Sequence, residues 1–395
     1  MQSVRVMHLI GRRSTLGVGG VLEQVAANQV EAGHTARIVA MNDRCGPAIV
    51  AGTALGARWG RDPLARRRLR RLIADQRPDI VHAWDAPSLA ASASLTRDDS
   101  GTAQIATLAD PPSANLDAAR HAAGFLASDR AVAKALQRHG VDPARVSVAE
   151  RFALAADPLA DQAAFREQWQ IPADAPIVAA AAELTRDANL ADTIWGFELL
   201  RLLHREAVLV VAGEGPDHNR LQRQVRLMSE PASARFVPGE SLGGLLAAAA
   251  LFCDHGLADR WPVESLAAIS AGVPTVAAER RRTRAAFGNA KLGYIVGHGD
   301  RAAFGRIGDR VLARWEADHT GRGKPARAAE QSALSLGDSN PASLGDIASA
   351  RASVSARPTV TQDVAALYAR VLQRSARSVA SGPAASSERG RRQAI

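Results

Sequence analysis

Glycine-rich loops stand where predicted strands pass into predicted helices, and such junctions can bind anions. The first loop, at 11–20, follows the apolar run VRVMHLI (4–10), and its Gly19 and Gly20 open a helical stretch. Glycines let the backbone approach a ligand, and a helix N-terminus offers free N–H groups to a phosphate. We therefore predict a loop that faces an anion or a substrate, with a plain tight turn as the alternative.

A second loop of this kind, GEGP, contains Gly213, Gly215 and Pro216 and also follows an apolar strand-like run. Neither loop has the dinucleotide fingerprint G-x-G-x-x-G, because Leu22 and His218 stand where the third glycine belongs. The pattern excludes a Rossmann dinucleotide site and leaves phosphate contact of another kind.

Polar side chains follow two predicted strands at the points where they end. His82 and Asp85 close the run DIVHAWD, and Asp110 follows the next run, QIATLA. The carboxyl ends of parallel strands line the ligand crevice of open α/β sheets. We therefore predict site roles for these three residues, with burial in the core as the alternative.

The elements that must position these residues repeat along the chain. Twelve short, mostly apolar runs alternate with segments of helix length, which indicates parallel sheets covered on both faces. Twelve strands are too many for one compact sheet, and residues 152–173 contain no strand-like run. We predict two doubly wound α/β domains, 1–151 and 174–316, with 152–173 as the linker.

The end of the chain has a different composition. Residues 317–358 are rich in Ser, Gly, Ala and Pro without apolar periodicity, so we predict disorder there. Residues 359–375 regain a helical period, with Val364 and Leu367 on one face, and 376–395 form a polar tail that we also predict to be disordered. The isolated helix must dock on the body of the protein.

Charge and composition narrow the function classes. The chain has 395 residues and a net charge of +9, which suggests nucleic acid, but only three of its 49 basic residues are lysine. Arginine and alanine enrichment is what a GC-rich genome imposes, so we do not expect nucleic acid as a partner. Two cysteines cannot build a disulfide framework and match no metal spacing. No apolar run spans a bilayer, and the start lacks the order of a secretory signal, so we expect a cytoplasmic protein.

Eight runs in order resemble motifs of the retaining family 4 glycosyltransferases. They are GVGGVLEQVAANQVEAGHTARIV, RLIADQRPDIVHAWD, FLASDRAVAKALQRHGVDPARVSV, AAELTRDANL, VLVVAGEGPDHNRLQ, RFVPG, DRWPVESLAAISAGVPTVA and GYIVGHGD. The resemblance covers residues 4–316 and 360–374. It implies the GT-B architecture, two Rossmann-like domains facing across a cleft, with the final helix crossing back to the N-terminal domain.

The same resemblance implies an activity. Family members move a sugar from a nucleotide-sugar donor to an acceptor with retention of configuration, usually without a metal or further cofactor. The partners of this chain would be that donor and an acceptor that is a glycan, a lipid or a small molecule. Peripheral contact with a membrane stays open. The leaving diphosphate gains negative charge, which the protein must stabilise.

The chain departs from the family at the donor site. The family's diphosphate-binding Arg and Lys correspond to Glu183 and Ala188, and its two glutamates to Asp259 and Ala267. The family's strand-end histidine corresponds to Ala109. A carboxylate at 183 replaces attraction by repulsion, and one unit pair at about 4 Å is worth roughly 4 kcal/mol at an effective dielectric of about 20.

Nearby residues offer compensation. Arg186 lies in the same loop as Glu183 and would provide charge, as would Arg260, Arg12 and Arg13, and the run 280–282. Glu264 lies one helical turn before Ala267 and would hold the ribose.

The leading hypothesis is an active transferase with an altered donor site. The loop at Gly19 and Gly20 would contact the diphosphate and Asp259 the sugar. The acceptor would lie against the N-terminal domain near His82, Asp85 and Asp110. Two alternatives stay open at this point. One is a non-catalytic descendant that binds or regulates, and the other is a hydrolysing sugar-nucleotide epimerase on the same fold.

Overall fold

The computed structural model describes residues 3–11, 14, 16–42, 52–57, 62–93, 101–112, 122–149, 151–154, 160–288, 292–320 and 359–380. In these ranges thirteen strands and twelve α-helices alternate, and the strands form two separate, wholly parallel sheets. This is the doubly wound α/β architecture in two domains that the sequence predicts.

The N-terminal sheet contains seven strands. They are β1 Arg5–Ile10, β2 Thr35–Ala40, β3 Gly52–Ala54, β4 Ile80–Ala83, β5 Ala103–Leu108, β6 Gly124–Ala127 and β7 Val146–Val148. Their order across the sheet is β3-β2-β1-β4-β5-β6-β7. The sequence analysis missed β3, because this three-residue edge strand, GTA, is largely exposed and has no apolar run.

Helices cover both faces of this sheet, so its strands are apolar on both sides. The helices are α1 Gly17–Glu31, α2 Pro63–Gln76, α3 Ala86–Ser92 and α4 Arg130–Arg138. Leu9 of β1 packs with one helix layer, and Ile80 of β4 packs with the other. Neither side chain is exposed to solvent.

The C-terminal sheet contains β8 Ile177–Ala181, β9 Val208–Ala212, β10 Ala234–Val237, β11 Ala249–Asp254, β12 Thr275–Ala278 and β13 Tyr294–Val296. Their order is β10-β9-β8-β11-β12-β13. The helices of this domain are α5 Gln162–Gln168, α6 Leu190–Arg201, α7 His218–Val225, α8 Leu242–Ala248, α9 Val263–Ala271, α10 Arg281–Phe287 and α11 Arg301–Thr320.

Each sheet has one point where the strand order reverses. In the N-terminal sheet it lies between β1 and β4, and in the C-terminal sheet between β8 and β11. At such a switch point the loops that leave the carboxyl ends of neighbouring strands diverge to opposite faces and open a crevice. The topology therefore predicts where each domain offers a ligand site.

The last helix, α12 Val360–Ala380, crosses back and packs on the N-terminal domain, as the sequence analysis expected. Its buried face includes Val364, Leu367 and Val371. A Cβ added at Gly124 of β6 would lie 2.8 Å from Leu367 Cδ1, so the helix packs closely on this strand. None of the described helices is long and apolar enough to cross a membrane.

Two segment boundaries differ from the prediction. Helix α11 continues to Thr320, into the segment predicted to be disordered from 317, and an ion pair of 2.8 Å between Arg314 and Asp318 supports its last turn. Helix α12 extends to Ala380, beyond the predicted end at 375. Residues 321–358 and 381–395, where we also predicted disorder, lie outside the described residues.

Candidate functional site

A cavity of about 470 Å³ opens between the two domains. Its walls come from the loops after β1, β4 and β5 on one side and after β8 and β11 on the other, with the N-termini of α1 and α9 between them. Both switch points therefore face the same space. A volume of this size falls in the range of about 300–1,000 Å³ that is usual for small-molecule sites.

The first glycine loop faces this cavity. Gly17, with a positive φ of 59°, and Gly19 are both among the lining residues. A Cβ at Gly19 would lie 2.2 Å from the carbonyl oxygen of Ser14, so only glycine permits this turn. Gly20, predicted to share the ligand contact, is buried behind the turn and is not among the described lining residues.

Glu264 reaches across the cavity to the N-terminus of α1. Its Oε1 accepts a hydrogen bond of 2.6 Å from the N–H of Gly17, so one carboxylate of the C-terminal domain meets the helix of the N-terminal domain. Desolvation raises the pKa of Glu264 to about 7, even though its bond to Gly17 opposes the shift. The neighbouring charge of Asp254 raises that pKa further, and Arg280 lowers it.

Asp254 and Arg280 form an ion pair on the floor of the cavity. Asp254 also accepts a hydrogen bond of 2.8 Å from Ser265 Oγ and one of 3.0 Å from the N–H of Gly256. Burial alone would raise the pKa of Asp254, but the Arg280 charge and these hydrogen bonds outweigh it and hold the pKa below its ordinary value. The pair is therefore charged at neutral pH.

The lining is acidic. Of the described lining residues six carry carboxylates and two carry guanidiniums: Asp85, Asp110, Glu183, Asp187, Asp254 and Glu264 against Arg260 and Arg280. The described lining therefore has more acidic than basic side chains, and one of the acidic ones, Glu183, stands where the sequence resemblance implies a diphosphate-binding arginine. Within the described part of the chain, no three His, Cys, Asp or Glu side chains are grouped so that they could hold a metal.

Asp110 lines the N-terminal side of the cavity at the end of β5, where the sequence analysis placed it. Partial burial raises its pKa, and the nearby Arg282 opposes that shift. Its Oδ1 accepts a hydrogen bond of 3.4 Å from the N–H of Trp261, so it also contacts the other domain. Asp85 is engaged differently, because its Oδ2 accepts from the N–H of Gly11 at 2.6 Å and holds the loop after β1.

Arg282 joins the two domains. Its side chain belongs to α10, is buried, and reaches into the N-terminal domain. It contacts Asp129 at 3.2 Å, Asp110 at 3.4 Å and Ser128 Oγ at 2.8 Å, and it donates to the carbonyl of Ala109. The run 280–282 is predicted to lie at the donor, but of its residues only Arg280 is among the described lining. The sequence shows only a run of arginines and gives no sign that one of them, Arg282, is buried.

His82 is not at the site, which corrects its prediction as a catalytic residue. Its side chain is fully buried, with Nδ1 2.7 Å from Tyr368 Oη and Nε2 2.7 Å from Thr107 Oγ1. Burial holds its pKa well below the ordinary value. His82 lies inside β4, whereas Trp84, just after the end of that strand, lines the cavity. The bond from His82 to Tyr368 instead holds α12 on the sheet.

Asp259 also points elsewhere. Its carboxylate accepts from the backbone N–H of Arg282 at 2.8 Å and from Arg281 Nε at 3.2 Å, at the N-terminus of α10. Its neighbours Ala258 and Arg260 line the cavity, but Asp259 itself does not. The Asp259 carboxylate thus accepts from an N–H group at the start of α10 instead of facing the cavity.

The second glycine loop lies behind the lining. A Cβ at Gly213 would be 2.1 Å from the carbonyl oxygen of Ala182, and one at Gly215 would be 2.4 Å from that of Leu184. These glycines are needed because the loop packs against the segment after β8, which does line the cavity. Neither they nor Pro216, which is exposed, belong to the described lining.

Arg186 is exposed in a short 3₁₀ turn. Its neighbours Thr185 and Asp187 line the cavity, whereas Arg186 is not among the described lining residues. The other arginines proposed to compensate from the first loop, Arg12 and Arg13, lie outside the described residues.

Two models of protein families match the sequence of this chain. The model of Glycosyltransferase Family 4 matches residues 16–152, and that of Glycosyl transferases group 1 matches residues 161–324. No curated protein sequence matches the chain.

Three solved structures illustrate the likeness of fold. HepE from Anabaena, in complex with UDP, has a TM-score of 0.61 at 14% identity over 95% of this chain and 100% of its own. WaaG, a glycosyltransferase involved in lipopolysaccharide biosynthesis, has a TM-score of 0.58 at 13% identity over 89% and 100%. Sucrose-phosphate synthase from Thermosynechococcus elongatus has a TM-score of 0.58 at 15% identity over 83% and 94%.

Proposed function

This chain belongs to the glycosyltransferases of the GT-B fold, and we propose that it moves a sugar from a nucleotide-sugar donor to an acceptor with retention of configuration. The observation that carries the proposal is the shared cavity, in which the N-terminus of α1 and the first turn of α9 face each other at both switch points. The solved HepE complexes with UDP and UDP-glucose support a donor of this kind.

Roles follow from the positions of the lining residues. The N–H groups at Gly17 and Gly19 would meet the diphosphate, because a helix N-terminus favours an anion. Arg260 would supply positive charge at the leaving group, since Arg280 is already paired with Asp254, and Glu264 would be the carboxylate beside the Gly17 N–H. The acceptor would lie on the side of Asp110 and Trp84.

The acidic lining favours a second candidate, a chain that binds a ligand in this cavity without turnover. Glu183 lines the cavity where the family has its diphosphate arginine, and Asp259 is bound to the N-terminus of α10. The first change removes stabilisation of the leaving diphosphate, and the second removes the carboxylate expected at the donor sugar. About 1.4 kcal/mol of lost transition-state stabilisation lowers the rate tenfold. A binding or regulatory module would retain the fold and lose this chemistry.

Two measurements separate these candidates. Thermal unfolding with UDP, GDP, ADP and their glucose conjugates tests binding, since a ligand at about 100 times its Kd adds roughly 2.7 kcal/mol of stability. Release of labelled sugar, and the anomeric configuration of the product, tests transfer. Stabilisation together with a retained-configuration product is expected. Stabilisation without any sugar release would favour the binding module, and no stabilisation by any nucleotide would contradict the proposed donor.

A further inference from the structure

Helix α1 lacks an N-cap of its own. Leu16 stands at the N-cap position, and no side chain of that residue satisfies the first N–H groups. The anion that does so is the carboxylate of Glu264, at 2.6 Å from the N–H of Gly17. A helix N-terminus stabilises a negative charge, and here an internal carboxylate supplies it.

The same N–H group belongs to the surface on which a diphosphate would bind. Gly17 and Glu264 both line the cavity, so the carboxylate lies inside the space that the donor needs. An ionised Glu264 and a diphosphate would compete for one donor group while repelling each other. The geometry therefore makes the charge of Glu264 decisive for the occupancy of this cavity.

The charges around Glu264 are few. Asp254 and Arg280 face it from the C-terminal domain, and they neutralise each other as an ion pair. On the α1 side, the described lining residues Ser14, Leu16 and Gly17 carry no charged side chain. In this described surrounding the hydrogen bonds from its own backbone N–H and from Gly17, together with the Arg280 charge, favour the ionised form of Glu264, while burial and the Asp254 charge oppose it.

Resting on the proposed function, we propose that Glu264 gates the donor site. Its ionised carboxylate fills the diphosphate position at Gly17, and a nucleotide sugar binds when Glu264 is protonated, so that binding takes up one proton from solvent. The proton stays on the Glu264 carboxyl group, which then donates its O–H to a phosphate oxygen instead of accepting from Gly17. No bond of the donor is broken in this step.

The direction of the pH effect follows. The pKa of Glu264 lies at about 7, so below that pH the neutral form predominates and binding is tight. Above it, the competent fraction falls about tenfold for each pH unit, and the apparent Kd rises by the same factor. A nucleotide sugar is the proper probe, because a free nucleoside diphosphate has a terminal phosphate that itself titrates near a pH of about 6.

The test is calorimetric titration of wild-type, Glu264→Gln and Glu183→Gln proteins at pH 6 and pH 8, in two buffers of different ionisation enthalpy. The probe is UDP-, GDP- or ADP-glucose, whichever stabilises the wild type most. We expect wild-type binding to weaken roughly tenfold at pH 8 with uptake of one proton. Glu264→Gln should bind equally at both pH values and tighter than wild type at pH 8. Glu183→Gln, which removes another lining carboxylate, should keep the wild-type pH dependence.

The failures are distinguishable. If Glu264→Gln binds more weakly than wild type, or retains its pH dependence, the gate is wrong and Glu264 is a ribose contact or a bystander, while the proposed function stands. If none of the three proteins binds any of the three nucleotide sugars at either pH, both the proposed function and the gate are overturned.

Discussion

Arg282 of the C-terminal domain lies 3.2 Å from the carboxylate of Asp129 in the N-terminal domain. Both side chains are largely shielded from water, and the same guanidinium contacts Ser128 and Asp110. This contact fixes the two walls of the cavity with respect to each other, because α10 belongs to the C-terminal domain and Asp129 caps α4 of the N-terminal domain.

Replacement of Arg282 should therefore destabilise the protein strongly. Arg282→Ala leaves Asp129 without its buried partner, and breaking such a pair costs on the order of 3–5 kcal/mol. Urea unfolding measures the loss. Arg281→Ala is the matched control, because Arg281 is exposed and its ion pair with Asp259 contributes little. Equal effects of the two substitutions would contradict the interdomain role of Arg282.

How far the sequence predicts this protein depends on which physical signal is used. Apolar runs such as those of β1 and β8 predict buried parallel strands, because burial on both faces leaves a continuous hydrophobic sequence. The edge strand β3 has no such constraint and escapes prediction. The doubly wound fold follows from the buried runs and not from any exposed residue.

The site is harder to predict than the fold. Position at a strand end correctly places Asp110 in the cavity, but it fails for His82, which lies one side-chain layer deeper. The bond between Glu264 and Gly17 joins residues that are distant in sequence, and no local pattern encodes such a contact. Sequence reasoning therefore predicts the edge of the sheet that binds a ligand better than the side chains that touch it.

Acid should destabilise the fold through His8. This side chain is fully buried, with Trp84 Nε1 donating to its Nδ1 at 3.0 Å, and desolvation lowers its pKa to about 4. The unfolded chain protonates this histidine near pH 6.5 and the folded chain does not. The contribution of His8 to stability therefore falls as pH drops from about 6.5 towards 4, by roughly 3 kcal/mol.

The effect of His8 must be isolated, since the raised pKa of Glu264 acts with the opposite sign in part of this range. The difference in unfolding free energy between wild type and His8→Gln should shrink as pH falls from about 6.5 to 4.5. His319→Gln, an exposed histidine, serves as the control and should give a small, nearly constant difference. A constant difference for His8→Gln as well would refute the assignment.

Gly19→Ala should disrupt the first loop. The added methyl group would lie 2.2 Å from a backbone oxygen of Ser14, so the turn must move and the N–H groups of α1 leave their positions. We expect loss of nucleotide-sugar binding, measured by calorimetry, with a modest loss of stability. Gly305→Ala in α11 meets no atom within 4 Å and should stabilise the helix by roughly 0.5–1 kcal/mol. Unchanged binding by Gly19→Ala would show that the loop does not face the donor.

Arg260 and Arg186 should differ in their contribution to donor binding. Arg260 lines the cavity and its side chain is 63% exposed, so Arg260→Ala should fold normally and weaken binding about tenfold, equal to roughly 1.4 kcal/mol. Arg186 lies outside the described lining, and Arg186→Ala should bind as wild type does. Calorimetric titration of both variants with the same nucleotide sugar measures the two affinities. A larger loss of affinity in Arg186→Ala than in Arg260→Ala would show that Arg186 is the compensating cation.

The proposed transfer requires that a nucleotide sugar occupy the cavity between the two domains. Backbone hydrogen exchange with and without a saturating nucleotide sugar, read by mass spectrometry, tests it most directly. We predict slower exchange in peptides that contain Gly17 and Gly19 at the start of α1 and in peptides that contain Glu264 at the start of α9. Protection confined to other parts of the chain, or no protection at either helix N-terminus at saturation, would contradict the account.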